Sequence, residues 1–147
     1  LRHILEKKFY QLLQQLDNSK ILFANEFQSF VFLNNGKKFD AKPLPIIAQS
    51  SPISVIETCD FNSDNKLDLL IFGNKNFVST YFGSFDANHG ILLKGNGDGT
   101  FDYVDQKKSG LNVTGEIKKM FYLDKNKTKF VLGVNDNELN FYKLNSL

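Results

Sequence analysis

Residues 59–74 read CDFNSDNKLDLLIFGN, and two patterns meet in them. The first is polar: Asp60, Asn62, Asp64 and Asp68 stand at relative positions 1, 3, 5 and 9. The second is apolar: Leu69 to Phe72 form an unbroken run. An apolar run of that length, bounded by turn residues, predicts a buried strand. A loop rich in carboxylates thus feeds straight into a strand that belongs in a core.

The polar half has two readings. In one it is an Asx-rich turn whose side chains cap backbone amides. In the other it is a cation site. Calcium takes six to eight oxygen ligands, mostly carboxylates and carbonyls. A tight loop turns alternate residues to its inner side, so Asp60, Asn62 and Asp64 can converge on one point. Lys66 at position 7 can add its backbone carbonyl, and Asp68 at position 9 closes the set. Position 6 is Asn65, the non-glycine residue most tolerant of the left-handed turn such loops need. Three carboxylates within nine residues repel one another unless a cation neutralises them, which favours the metal reading. The loop is not an EF-hand, because position 12 is Ile71 where a bidentate Glu is required. A dockerin-type loop fails on the same position, and the flanks here read as strands.

Working outward, short aromatic and β-branched runs broken by Asn, Gly and Asp predict strands near 29–33, 53–59, 68–72, 90–94, 101–105, 116–123, 129–134 and 138–143, with a short one at 38–40. Asn34-Asn35-Gly36, Gly95 to Gly99 and Asn135-Asp136-Asn137 supply residues that accept positive φ, as tight hairpins require. The connections are mostly short, which implies an antiparallel meander. Cys59 is expected as a small buried hydrophobe, and as the only cysteine it has no intrachain disulfide partner.

A weak internal repeat runs through these strands. FLNNGKKF (32–39) resembles LKGNGDGTF (93–101), and ISVIETCD (53–60) resembles IKKMFYLD (117–124). Phe39 and Phe101 are 62 residues apart, Asp60 and Asp124 are 64. Units of that size with four strands each predict propeller blades. The expected fold is therefore mainly β, a partial β-propeller: one complete four-stranded antiparallel blade over 53–105, with part blades at 27–42 and 116–143. Such a ring needs roughly four to eight blades, so the partners expected first are the remaining blades of a longer parent chain. The start at Leu1 points the same way. The loop at Asp124, DKNKTKFVL, is shorter and filled with lysine, and is expected to bind no metal.

Ahead of the blades, Leu1, Ile4, Leu5, Phe9, Leu12, Leu13 and Leu16 fall at helical spacing, predicting an N-terminal amphipathic α-helix over 1–19. No apolar run approaches the ~20 residues of a membrane helix. The net charge of +2 and the isolated lysine pairs give no basic stripe, which argues against nucleic-acid binding.

At this point the residues carry a resemblance. CDFNSDNKLDLLIFGN, followed by GILLKGNGDGTF, resembles an FG-GAP/VCBS-type repeat, and the order from LNNGKKF to VNDNEL is similar to the C-terminal end of large bacterial VCBS-repeat proteins. The resemblance covers roughly residues 25 to 145. It implies a β-propeller with calcium in blade loops, in secreted or cell-surface proteins, with Asp60, Asn62, Asp64, the Lys66 carbonyl and Asp68 as ligands. Asn65 departs from it, because the repeat carries glycine there.

Nothing in the sequence points to an enzyme. His3 and His89 have no neighbour suggesting a nucleophile or a metal-ligand spacing. Gly95, Gly97 and Gly99 are followed by no P-loop lysine. The insertion from Asn76 to Asn88 gathers Phe77, Tyr81, Phe82 and Phe85, next to His89. Those aromatics are expected to pack down as a hydrophobic plug. The alternative is a carbohydrate- or protein-binding face. A further alternative makes the chain an accessory domain of a larger polysaccharide-acting enzyme.

Overall fold

The computed structural model describes residues 24–79 and 83–143, so the helix expected over 1–19 lies outside the described residues. The described elements are β1 (Phe30–Asn34), β2 (Phe39–Pro43), a 3-10 turn (Ile46–Gln49), β3 (Ile53–Cys59) and β4 (Asp68–Gly73). They continue with β5 (Lys75–Ser79), β6 (Gly83–Phe85), β7 (Ile91–Gly95), β8 (Phe101–Val104), a one-turn helix α1 (Gln106–Ser109), β9 (Ile117–Tyr122), β10 (Lys129–Val134) and β11 (Asn140–Lys143). The chain is mainly β. It forms a four-stranded sheet β3-β4-β7-β8, a three-stranded sheet β11-β10-β9 and the two hairpins β1-β2 and β5-β6. Every strand pairing among them is antiparallel. None of these sheets closes on itself.

The middle sheet is the organising layer. All six residues of β4 are buried, because successive side chains of a strand point to opposite faces and here both faces are covered. Leu70 and Phe72, with Leu92 of β7 and Val55 of β3, pack against Ile117, Met120, Phe130 and Leu132 of the three-stranded sheet. The Phe72 and Phe130 rings meet at 6.2 Å, and Tyr142 of β11 stacks on Phe130 at 5.3 Å. Leu69 and Ile71 face the other way, with Ile91 and Leu93, onto Leu44, Ala48 and Val31 from the β1-β2 side. Three sheets are therefore stacked, with β4 at the centre.

The two ends of the stack are different. On β1-β2, Val31 faces inward while Phe32 and Phe39 are 62% and 66% exposed. On the far sheet, Phe121, Val131 and Phe141 stand level across β9, β10 and β11, and the two phenylalanines are 62% and 68% exposed. Each end sheet shows solvent an aromatic face.

Two polar devices hold the ends of β4. Past its last residue, Asn74 adopts φ 80. Its amide donates to the carbonyls of Asn88 (2.8 Å) and Gly115 (3.1 Å), and its Oδ1 accepts from Asn88 N (2.9 Å) and Ser51 Oγ (2.8 Å). This buried knot closes the base of the β5-β6 excursion. Beside it Glu116, 2% exposed, accepts from Lys75 Nζ at 3.1 Å, from Asn76 N at 3.3 Å, and from Lys118 Nζ. The Lys118 and Lys75 ammonium groups pull the Glu116 carboxyl down to about 2, against the opposing effect of burial. The other end of β4 is Asp68.

Several expectations need correction. The segment after Asn74, read as an insertion loop, begins as the ribbon β5-β6. Its side chains do not form the expected plug throughout, since Phe77 is 87% exposed. Cys59 is half-buried, not a core residue, because it sits at the last rung of β3 opposite Asp68. The loop after β8 opens with α1, capped by Asp105, whose side chain accepts from Lys107 N at 2.8 Å.

Candidate metal centre

The Asp60 loop joins β3 to β4, whose last pair is Cys59 with Asp68. Its carboxylates collect backbone N–H groups. Asp60 accepts from Asp64 N (3.0 Å) and from Asn65 N (2.8 Å), one bond to each oxygen. Asn62 Oδ1 accepts from Asp64 N at 3.0 Å, and its Nδ2 donates to Asp64 Oδ2 at 3.1 Å. Asp64 Oδ1 accepts from Lys66 N at 3.0 Å. This stagger of side chains at positions 1, 3 and 5 on amides further along winds the loop into a tight coil. The winding needs left-handed backbone at Ser63 (φ 60) and at Asn65 (φ 63), the latter being the residue expected there.

Asp68 is set more deeply. It is 1% exposed, and its two oxygens accept from Phe61 N and from Gly95 N, both at 2.9 Å. One side chain thus ties the start of the loop to β4 and to the end of β7. Gly95 is required by that approach: a Cβ there would stand 2.1 Å from the Leu67 carbonyl oxygen. Lys66, expected to serve only through its main chain, lays its aliphatic stem over Gly97.

One further group enters from β7. Lys94 Nζ stands 3.2 Å from Asp64 Oδ2. Burial pushes the Asp64 carboxyl up, but the Lys94 ammonium, the Lys66 N–H and the Asn62 amide outweigh it and hold it below the usual carboxylate range. Asn62, Asp64, Asp68 and Lys94, with Leu92, Val104 and Lys108, line an open cavity of about 600 Å³. Sequence reasoning missed Lys94. The signal was the β4-β7 register, which pairs Leu69 with Leu93 and so sets Lys94 level with Asp68. Single-sequence pattern gives no such long-range register.

The five predicted ligands therefore share one loop. The oxygens are all hard donors, and every carboxylate oxygen except Asp64 Oδ2, which already meets both the Asn62 amide and Lys94, has a second lone pair beyond the bonds described. Among the described residues no three acidic, histidine or cysteine side chains converge closely enough to hold a metal ion as they stand. At Asp124 the carboxylate accepts from Thr128 Oγ1 (2.6 Å) and Lys129 N (2.8 Å), and Lys127 lies over the Tyr122 ring at 5.1 Å.

Phe77 is on β5 and Phe85 on β6, while Tyr81 and Phe82 lie outside the described residues. His89 is an exposed loop residue whose Nδ1 is 3.1 Å from the Val113 carbonyl. No known protein family, curated protein or solved structure matches this chain.

Proposed function

We propose that the chain is a non-enzymatic structural and interaction module: a set of FG-GAP/VCBS-like propeller blades, one of which is stiffened by calcium at the Asp60 loop. The observation that carries this reading is the loop itself. Its acids and amide are coiled on their own backbone N–H groups, with Asn65 already in the left-handed conformation the coil needs. Asp60, Asn62, Asp64, the Lys66 carbonyl and Asp68 would hold the ion, and the chemistry of the set suits it, since calcium prefers hard oxygens. The ion supplies positive charge that relieves the mutual repulsion of three carboxylates. The chain's own residues do the rest: Asp68 anchors the loop to β7, and the coil orders the entry to β4.

The energetic role is linkage. An ion that binds only the folded loop stabilises it by RT ln(1 + [Ca]/Kd). For a Kd of about 10⁻⁴ M, millimolar calcium adds about 1.4 kcal/mol. That orders a loop without making folding depend on it, and it fits a secreted or cell-surface setting where calcium is millimolar. The propeller part is supported by the stacking: a centre sheet buried on both faces, between end sheets that each show an aromatic face. Neighbouring blades are the partners such faces fit.

A second reading has one observation in its favour. Phe77 is 87% exposed on the β5-β6 ribbon, where an aromatic ring is available to stack on a sugar or a protein surface. Loss of glycan or protein binding on Phe77→Ala, with the melting temperature unchanged, supports that reading.

Calorimetric titration of calcium into chelator-treated protein, beside Asp60→Asn and Asp64→Ala, tests the leading proposal. Saturable binding that both substitutions abolish is expected. No heat up to several millimolar calcium sinks the metal part and reduces the loop to a polar turn.

A further inference from the structure

Lys94 is the one ammonium group bonded to the Asp60 loop from outside it among the described residues. It arises on β7, next to Gly95, whose N–H already binds Asp68. The same two residues of β7 therefore reach both later carboxylates of the loop, one by a charge and one by an amide. Lys94 is 46% exposed and Asp64 26% exposed at their side chains, so the pair sits at the rim of the 600 Å³ cavity and opens to solvent.

An ammonium at hydrogen-bond distance from a candidate ligand oxygen does part of what a metal ion does: it offsets negative charge. It also stands close enough to Asp64 to repel a divalent cation bound there. These effects have opposite signs for the two states of the loop. Without metal, Lys94 stabilises the coil; with metal, it opposes the ion. We infer that Lys94 is a tethered counter-ion of the Asp60 loop, which holds the loop together in the absence of metal and competes with calcium for Asp64. The inference rests on the calcium reading above. Lys94 offsets the charge of one of the three carboxylates, Asp64, when no ion is bound, while Asp60 and Asp68 rest on backbone N–H groups.

The competition has a size. An exposed ion pair contributes free energy equivalent to roughly a two- to fivefold change in an equilibrium constant. Lys94→Met should therefore bind calcium roughly two- to fivefold more tightly than the native chain. In chelator the same variant should melt below the native chain, and in saturating calcium that deficit should shrink or vanish. Lys94→Arg keeps the charge and should restore native behaviour in both conditions. Lys108→Gln removes a charge from the same cavity wall with no bond to Asp64, and should change affinity less than Lys94→Met.

The experiment is calorimetry with calcium chloride on the four chains, paired with thermal melts in chelator and in calcium. Equal affinities for native and Lys94→Met overturn the counter-ion role while leaving the calcium site standing. Equal effects of Lys94→Met and Lys108→Gln overturn it too, in favour of a diffuse charge effect. Absence of binding in all four chains overturns the site and the competition together. Tighter binding in Lys94→Met, lost in Lys94→Arg, establishes it.

Discussion

Asp68 and Glu116 are both carboxylates buried where carboxylates are costly, and each is partnered by a different device. Asp68 faces two backbone amides, one from its own loop and one from β7. Replacing it by Asn leaves one oxygen to serve two donors and aims an amide at one of them. An unsatisfied buried donor costs about 1–3 kcal/mol. Asp68→Asn should therefore lower metal-free stability by about that much in urea denaturation under chelator. Asp60→Asn, at the more exposed start of the loop, should act chiefly on calcium affinity. Glu116 is held by two lysines instead, and its carboxyl lies at about 2 against an ordinary value of 4.5. A carboxyl depressed in the folded state contributes stability that is fully present above the unfolded value. That contribution is lost as pH falls through the folded one. The window for Glu116 thus runs from about pH 4.5 down to about pH 2. Equilibrium denaturation across that range should show the native chain losing stability with acid, and Glu116→Gln losing less. Asp40, Asp98 and Asp124, also held low by hydrogen-bonding partners, leave a residual slope in the variant.

β4 is the element on which the fold depends, and it is also the most legible. Leu70 is fully buried between β3 and β7 and faces the Phe72–Phe130 layer. Leu70→Ala should cost about 2–5 kcal/mol, read as a shift in the denaturation midpoint. The exposed Ile56 on the neighbouring strand should tolerate Ala at a small fraction of that. The run from Leu69 to Phe72 announced this burial because a strand covered on both faces has no polar position to spare. The hairpins announced themselves through Asn-Gly and Gly-rich turns, and the unit 53–105 emerged as the four-stranded sheet β3-β4-β7-β8. What stayed hidden was of another kind. β5 and β6 contain Lys75, Asn76 and Ser84 among their aromatics, so no clean alternation marks them. The 3-10 turn at Ile46–Gln49 follows a proline, and Gln49 is held by bonds to Ser29 and Leu44 that only the fold creates. The candidate site divides along the same line. Asp60, Asn62, Asp64 and Asp68 were legible because they are close in sequence. Lys94 and the Gly95 N–H were not, because they lie 26 and 27 residues beyond Asp68, on a strand that only the sheet brings alongside.

At the scale of the whole molecule the stack is asymmetric about its centre. β4 sees apolar neighbours on both sides, while the outer faces of β1-β2 and of β9 to β11 carry Phe32 with Phe39 and Phe121 with Phe141 in contact with water. These faces belong to different sheets at opposite ends, so a contact between them across two copies is heterologous, and each copy added leaves a free face for the next unless a ring closes. The isolated chain should therefore associate end to end as its concentration rises, with a weight-average mass that keeps increasing in sedimentation rather than stopping at a dimer. Phe121→Ser combined with Phe141→Ser removes one of the two faces. Both rings are more than half exposed, so the double substitution should leave the denaturation midpoint nearly unchanged. It should nevertheless cut the association. The same double change at Phe32 and Phe39 should do likewise, because a head-to-tail contact needs both faces. A mixture of the two double variants distinguishes this from nonspecific stickiness. Each retains the face the other lacks, so together they should form a heterodimer and nothing larger. Continued growth of the mixture beyond two chains would show that some other surface carries the association, and the proposal that neighbouring blades dock on the end faces would fall.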